Sequence, residues 1–318
     1  MIKPAANIIE TEPILALSST RIETVFRGSR QRIFSSSEIG RFIDQNRDAW
    51  LVTDTHANGK STVKRKGQLI PLTSDGQNAI LNALLEHMKL QKIRLPFPYR
   101  TDTRFTWDEA PTYELIQSLD TDGYFSHYTA MHLHGLTDQI PKTIYFNVEQ
   151  PASAGGGRLS QEGIDRAFRG KCRTSSNVIT FRNLRICRLN GGNTHQLGVV
   201  DFRTDDGEKI RITDVERTLI DAVVRPVYAG GIGEVAEAFH AATGRVSVKK
   251  LADYLRKLNF TYPYHQAIGF YLEHAGSYKA ADIKLMQRFP IEYDFYLNYQ
   301  LKNPAHNEKW RLFTPQRF

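Results

Sequence analysis

The chain has 318 residues, 41% hydrophobic and 24% charged, the balance of an ordinary folded protein with enough length for two domains. It contains no run of about eighteen apolar residues to span a bilayer, and MIKPAANIIE lacks the basic-then-apolar plan of a secretion signal, so a cytoplasmic protein away from membranes is expected. A net charge of +8 favours an acidic partner, above all nucleic acid, because neutralising phosphates releases their counterions.

The charge is unevenly placed. Between Ser18 and Arg104 there are 15 Lys and Arg against 8 Asp and Glu. Between Arg158 and Arg188 eight cations (Arg158, Arg166, Arg169, Lys171, Arg173, Arg182, Arg185, Arg188) face only Glu162 and Asp165. Two basic patches are therefore expected, one in each domain. Cys172 and Cys187 are too few and too far apart for a zinc cluster or a disulfide framework, and read as reduced buried thiols.

In chain order, residues 1 to 17 are apolar without a period and read either as an ordered arm or as a frayed tail. Arg21 to Phe26 forms a first helix. Ser35-Ser36-Ser37-Glu38 supplies N-caps for a second, with Ile39, Phe42 and Ile43 on one face. Leu51 to Leu72 reads as a strand-turn-strand insertion or a long loop rather than a helix. Thr73-Ser74-Asp75 then caps a periodic helix with an apolar stripe of Ile80, Leu81, Leu84, Leu85 and Met88 and a polar face of Gln77, Asn78 and Asn82. Lys89 to Leu95, a turn through Phe97-Pro98-Tyr99, and Arg104 to Trp107 follow as a hairpin. Helix, helix and hairpin predict a winged helix-turn-helix to about residue 110, and residues 111–318 a mixed α/β domain, for an α+β protein overall.

In the second domain Tyr113 to Leu119 and a helix over His127–His134 come first, and Pro151 to Gly157 is a glycine-rich loop. From Val178 to Ile212 the alternation turns to strand, with a turn at Asp205-Asp206-Gly207. Thr213-Asp214-Val215-Glu216 reads as a capping box in which Thr213 accepts from the Glu216 amide. It opens a helix to Val224, followed by helices over 232–242, 248–258 and 264–274 and a closing hairpin of Asp294 to Leu301 with Trp310 to Phe313.

The helix that begins Ser126-His127-Tyr128-Thr129-Ala130, followed by Gly135-Leu136-Thr137, Pro141 and a strand over Ile144–Val148, resembles the AbiEi family of type IV antitoxins. Ile212 to Gly231 (ITDVERTLIDAVVRPVYAGG) carries the same resemblance. The resemblance spans most of residues 74–300. It implies a non-enzymatic, cofactor-free repressor that binds promoter inverted repeats in double-stranded DNA and autoregulates its operon. It also implies a functional partner, an AbiEii-like nucleotidyltransferase toxin, that need not be touched directly.

For DNA contact the expected residues are Ser74, Gln77, Asn78 and Asn82 on the recognition helix, where carboxamides can pair bidentately with adenine. Arg94, Arg100 and Arg104 are expected on the wing, and Lys64, Arg65 and Lys66 beside it. In the second domain Arg166, Arg169 and Arg173 are expected to line phosphates, with strand residues between the arginines. Four other constellations read as structural. His127, His132 and His134 lack helical metal-pair spacing and a completing carboxylate. Asp201, Asp205, Asp206, Glu208 and Lys209 suggest a metal-dependent nuclease, but adjacent Glu208 and Lys209 point to opposite faces of a strand. Gly230-Gly231-Ile232-Gly233 lacks the Lys-Ser/Thr ending of a phosphate loop, and the resemblance, in which the equivalent segment joins two helices, implies a helix C-cap and tight packing. Asp214, Glu216, Arg217 and Asp221 read as a salt-bridged network. The alternatives to a repressor are a winged protein whose second domain is a nuclease, or one whose second domain is a protein-interaction module.

Overall fold

A computed structural model of the chain describes residues 14–54, 56–57, 60–61, 69–151 and 159–318. It is a mixed α/β protein that divides into two compact units, Met1–Leu95 with Thr101–Ser118, and Pro96–Arg100 with Leu119–Phe318. No helix among the described residues is long and apolar enough to cross a membrane.

Unit 1 begins with β1 (Ile14–Ser18), α1 (Ser19–Gly28), β2 (Ile33–Ser35) and α2 (Ser36–Trp50). An insertion follows with β3 (Leu51–Asp54), β4 (His56–Ala57), β5 (Lys60–Ser61) and β6 (Leu69–Pro71). Then come α3 (Gln77–His87), β7 (Leu90–Phe97), β8 (Arg100–Trp107) and α4 (Thr112–Gln117). The described residues of the insertion form strands, with β1 lying between β3 and β6 in the sheet order β3-β1-β6 and β4 paired with β5 in a separate sheet. A second sheet has the order β2-β8-β7.

α2 starts where the serine run places it. The Ser35 hydroxyl accepts from the Glu38 amide at 3.3 Å and the Glu38 carboxylate accepts from the Ser35 amide at 2.7 Å. The start of α3 differs from expectation. Its N-cap is Gly76, with no side-chain cap, because the chain turns on through Ser74 and Asp75 before becoming helical. The apolar stripe is real, with Ile80 and Leu84 fully buried and Leu81, Leu85 and Met88 packed against the same core. That core also holds Phe26, whose ring stacks on Trp107 at 4.0 Å between centroids. α4, expected with the second domain, belongs to unit 1, where Arg104 donates to the Ser118 carbonyl at 2.7 Å.

Unit 2 contains β9 (Tyr124–Phe125), α5 (His127–Leu133), β10 (Thr143–Glu149), α6 (Gln161–Arg169), β11 (Val178–Phe181), β12 (Leu184–Gly191), β13 (Val199–Arg203) and β14 (Lys209–Thr213). It continues with α7 (Val215–Val224), α8 (Ile232–Ala241), α9 (Val248–Leu258), α10 (Tyr264–His274) and α11 (Ala280–Met286). β15 (Phe295–Tyr296), β16 (Ala305–Asn307) and β17 (Leu312–Thr314) close it. Six strands form one sheet, β11-β12-β10-β9-β14-β13, with β10 and β12 parallel and the outer pairs antiparallel.

α7 is the central helix of this unit. Residues Glu216 to Val223 are all buried, so its polar members must be satisfied internally. Its N-cap is Asp214, which accepts from the Arg217 amide at 2.8 Å, one residue later than the expected Thr213 box. Glu216 is thereby released to accept from Ser247 N and Lys250 Nζ, at 2.8 and 2.9 Å. Three other expectations are corrected. Arg166 and Arg169 stand on a helix, α6, capped by Ser160, not between strand residues. Gly231 is the N-cap of α8 rather than a C-cap, at φ +98°, a conformation open to glycine. The tail is three strands, with β15 parallel to β17 and β16 antiparallel to it, rather than a hairpin.

Candidate nucleic-acid interface

Within unit 1 the exposed side of α3 is polar because its other side is consumed by the core. Asn78 and Asn82, one turn apart, are both exposed and share that side. Gln77 is also exposed, but its Nε2 donates to Asp44 Oδ2 on α2 at 2.8 Å. Its amide closes against Gly40, where an added Cβ would lie 3.0 Å from Nε2. Gln77 thus fixes the crossing of α2 and α3, and Asn78 and Asn82 carry the open carboxamides. Ser74 is exposed and precedes the helix by three residues, too early to cap it.

The hairpin alternates. Ile93, Leu95 and Phe97 of β7 are buried, Arg94 stands out between them, and Lys92 is exposed just before Ile93. Arg94 is exposed, and Lys92 Nζ lies over the Phe105 ring at 6.0 Å from its centroid. Arg104 is committed to structure. Its Nε and Nη2 donate to the Ser118 hydroxyl and carbonyl at 3.1 and 2.7 Å, and Nη1 to the Thr103 carbonyl at 2.8 Å. Arg100 is exposed and falls in unit 2. Lys64, Arg65 and Lys66 lie outside the described residues.

In unit 2, Arg166, Arg169 and Arg173 are exposed, with Arg169 3.8 Å from Asp165 one turn back. Around α7 lies a buried polar network only partly foreseen. Arg217 Nε donates to Asp221 Oδ1 at 2.8 Å, and its Nη1 to the Leu197 carbonyl at 2.7 Å and Thr194 Oγ1 at 3.1 Å. Thr194 binds Glu149 through both its amide and its hydroxyl, and Tyr124 donates to Glu149 at 3.0 Å. Asp214 accepts from Tyr254 at 2.8 Å and lies 3.0 Å from Lys250. The partners Glu149, Thr194, Tyr124 and Tyr254 were not legible, since no spacing links them to α7. A paired Arg and Asp at i, i+4 on a helix whose remaining residues are mostly apolar was the available signal.

His127 and His134 make separate contacts. His127 is buried, its Nδ1 2.8 Å from Ser126 Oγ, and burial lowers its pKa to about 4. His134 donates from Nε2 to the Thr213 carbonyl at 2.7 Å, and burial likewise lowers its pKa. Glu208 is buried beside Thr204, whereas Asp205 and Asp206 stand exposed in the turn before it. Among the described residues no three His, Cys, Asp or Glu side chains gather as a metal site.

No family model and no curated protein matches the chain. Among solved structures it is similar to one described as the crystal structure of the RV2827C protein from Mycobacterium tuberculosis. The two are 12% identical, with a TM-score of 0.56 over 94% of this chain and 95% of the other. At that identity the likeness defines a shared fold along nearly the whole of both chains.

Proposed function

We propose that the chain is a DNA-binding transcriptional repressor, the antitoxin of a type IV toxin–antitoxin pair that autoregulates its own operon. The observation that carries this reading is the solvent face of α3, where Asn78 and Asn82 present open carboxamides one turn apart above a fully packed stripe. The order α1, β2, α2, α3, β7, β8 with its sheet β2-β8-β7 supports reading α3 as the major-groove helix and β7–β8 as the wing. The resemblance of the Ser126–Val148 and Ile212–Gly231 segments to AbiEi antitoxins supplies the regulatory setting. In that setting the toxin is an AbiEii-like nucleotidyltransferase, offset by the repressor without a required complex, and the protein works in the cytoplasm.

Asn78→Ala combined with Asn82→Ala tests it, read by gel shift on the DNA upstream of the gene. Each lost bidentate pair with adenine removes about 1–3 kcal/mol of discrimination. The double variant is expected to bind its operator at least tenfold more weakly relative to random duplex while its melting temperature stays that of the wild type. Unchanged operator preference in a folded double variant would take α3 out of the interface.

A further inference from the structure

β13 is one edge of the six-stranded sheet, and the bonds it already makes show which of its backbone groups look outward. Thr204 N donates to the Glu208 carbonyl at 3.0 Å, and Asp214 N to the Gly198 carbonyl at 2.7 Å. In an antiparallel pair, residues that bond the neighbour alternate with residues that face away from it. Positions 198, 200, 202 and 204 therefore face β14, and 199, 201 and 203 face outward. Val199 N is taken by the Gln196 carbonyl at 3.0 Å, which leaves Asp201 and Arg203, among the described residues, as the open positions of this edge.

Both side chains are exposed and lie on the same face of the sheet. Among the described residues the Asp201 carboxylate has no hydrogen bond or ion pair. Arg211, its register neighbour on β14, is turned to the Gln196 side chain and the Thr121 carbonyl instead. Arg203 commits Nη1 to the Gly207 carbonyl at 2.9 Å, and its own register neighbour is another cation, Lys209. On the opposite face Phe202 packs edge-on against His134 at 5.4 Å between ring centroids, and Val200 beside it is 41% exposed.

A second copy of the strand fits this edge in one register. Two-fold antiparallel pairing of the open positions can set Asp201 on Asp201, Arg203 on Arg203, or Asp201 on Arg203. The first two place like charges directly opposite, which is destabilising. The third pairs opposite charges twice and lets each pair exchange both backbone hydrogen bonds. It also sets Phe202 against its own copy, with Val200 of each strand on the diagonal from it. Charges on an edge strand usually keep it single, but here the two signs stand two residues apart and cancel when the strand meets itself. β11, the other edge, carries no charge between Val178 and Phe181 to fix a register.

We propose that β13 is an interface at which two copies of this chain join their sheets edge to edge, with Asp201 of each opposite Arg203 of the other. On the repressor reading, such a pair carries two copies of α3 for the two halves of an inverted repeat.

The test is sedimentation velocity of the full chain over a range of protein concentration, with no DNA present. Wild type is expected to pass from monomer to dimer as concentration rises. Arg203→Asp sets carboxylates opposite each other at both pairs, and Asp201→Lys sets cations there. Each variant alone is expected to dimerise about tenfold more weakly while melting close to wild type, since both positions are exposed. Mixed in equal amounts, the two restore opposite charges at both pairs and should dimerise as wild type does, an outcome that a mere folding defect could not produce. Wild type that stays monomeric at every concentration, Arg203→Asp that dimerises as wild type does, or a mixture as weak as its components overturns the interface. If Asp201→Lys does not fold, Asp201→Asn takes its place, and its mixture with Arg203→Asp must still dimerise more strongly than Arg203→Asp alone. Because DNA is absent, the result is separate from the fate of the repressor reading.

Discussion

Arg217 and Asp221 are the residues on which unit 2 has the least tolerance, because both side chains are at least nine-tenths buried and each satisfies the other. Truncating one partner leaves the second charge buried alone, a cost of about 3–5 kcal/mol. Arg217→Met is therefore expected to lower the urea midpoint by that equivalent, and Arg217→Met with Asp221→Leu to recover much of it; a neutral single variant would contradict the buried pair. The buried imidazoles give the molecule an acid-side slope. Burial lowers the pKa of both His127 and His265 to about 4, so between about pH 6.5 and 4 the unfolded chain binds protons that the folded chain does not. Stability from these groups is complete above pH 6.5 and is lost as pH falls toward 4, on the order of 3 kcal/mol for each histidine. His265→Phe should flatten the fall in urea midpoint between pH 7 and 5; an unchanged slope would place the titration elsewhere.

At the scale of elements, α2 depends on its cap. Ser35→Ala removes the hydroxyl that receives the Glu38 amide and is expected to cost about 1 kcal/mol by chemical denaturation, with Ser36→Ala, exposed inside the first turn, nearly silent. This cap was legible because the whole motif is local, four residues from Ser35 to Glu38. The same reasoning misplaced the start of α3, where Ser74 has the right chemistry but the chain enters the helix only after Gly76. It also misread Thr213 for Asp214, two adjacent residues that are both competent caps, which only the geometry of the chain entering α7 separates. α9, with one apolar stripe, and α10, buried on most sides, were legible in their bounds, whereas β11 to β14 were legible only as a strand-forming stretch, since β12 buries four consecutive residues and does not alternate. Pairings made over long sequence distance were not. β1 reaches both sides of a later insertion, β15 runs parallel to β17, and Gln77 meets Asp44 across 33 residues. Hydrophobic period reports which face is buried and is silent about what buries it.

For the whole molecule, the charge surplus makes a quantitative demand. If α3, the hairpin and the arginines of α6 act on DNA, the binding constant must fall with salt as counterions are taken back, by a slope of about 0.9 for each phosphate neutralised. With about six phosphates engaged, affinity for an operator fragment is expected to drop roughly a thousandfold between 50 and 200 mM salt. The two basic regions then separate by variant. Arg166, Arg169 and Arg173 are exposed, and among the described residues only Arg169 has a carboxylate nearby, 3.8 Å away at the surface, where such a pair stabilises little. Replacing all three with Ala should leave folding intact. If each meets a phosphate, the salt slope should fall by up to about 3 while the preference for operator over random duplex stays unchanged, since phosphate contacts position a protein without reading sequence. Asn78→Ala with Asn82→Ala should do the opposite, keeping the slope and losing the preference. A triple arginine variant with the wild-type slope would confine DNA binding to unit 1, and a wild-type protein whose affinity is flat with salt would remove DNA as the partner altogether.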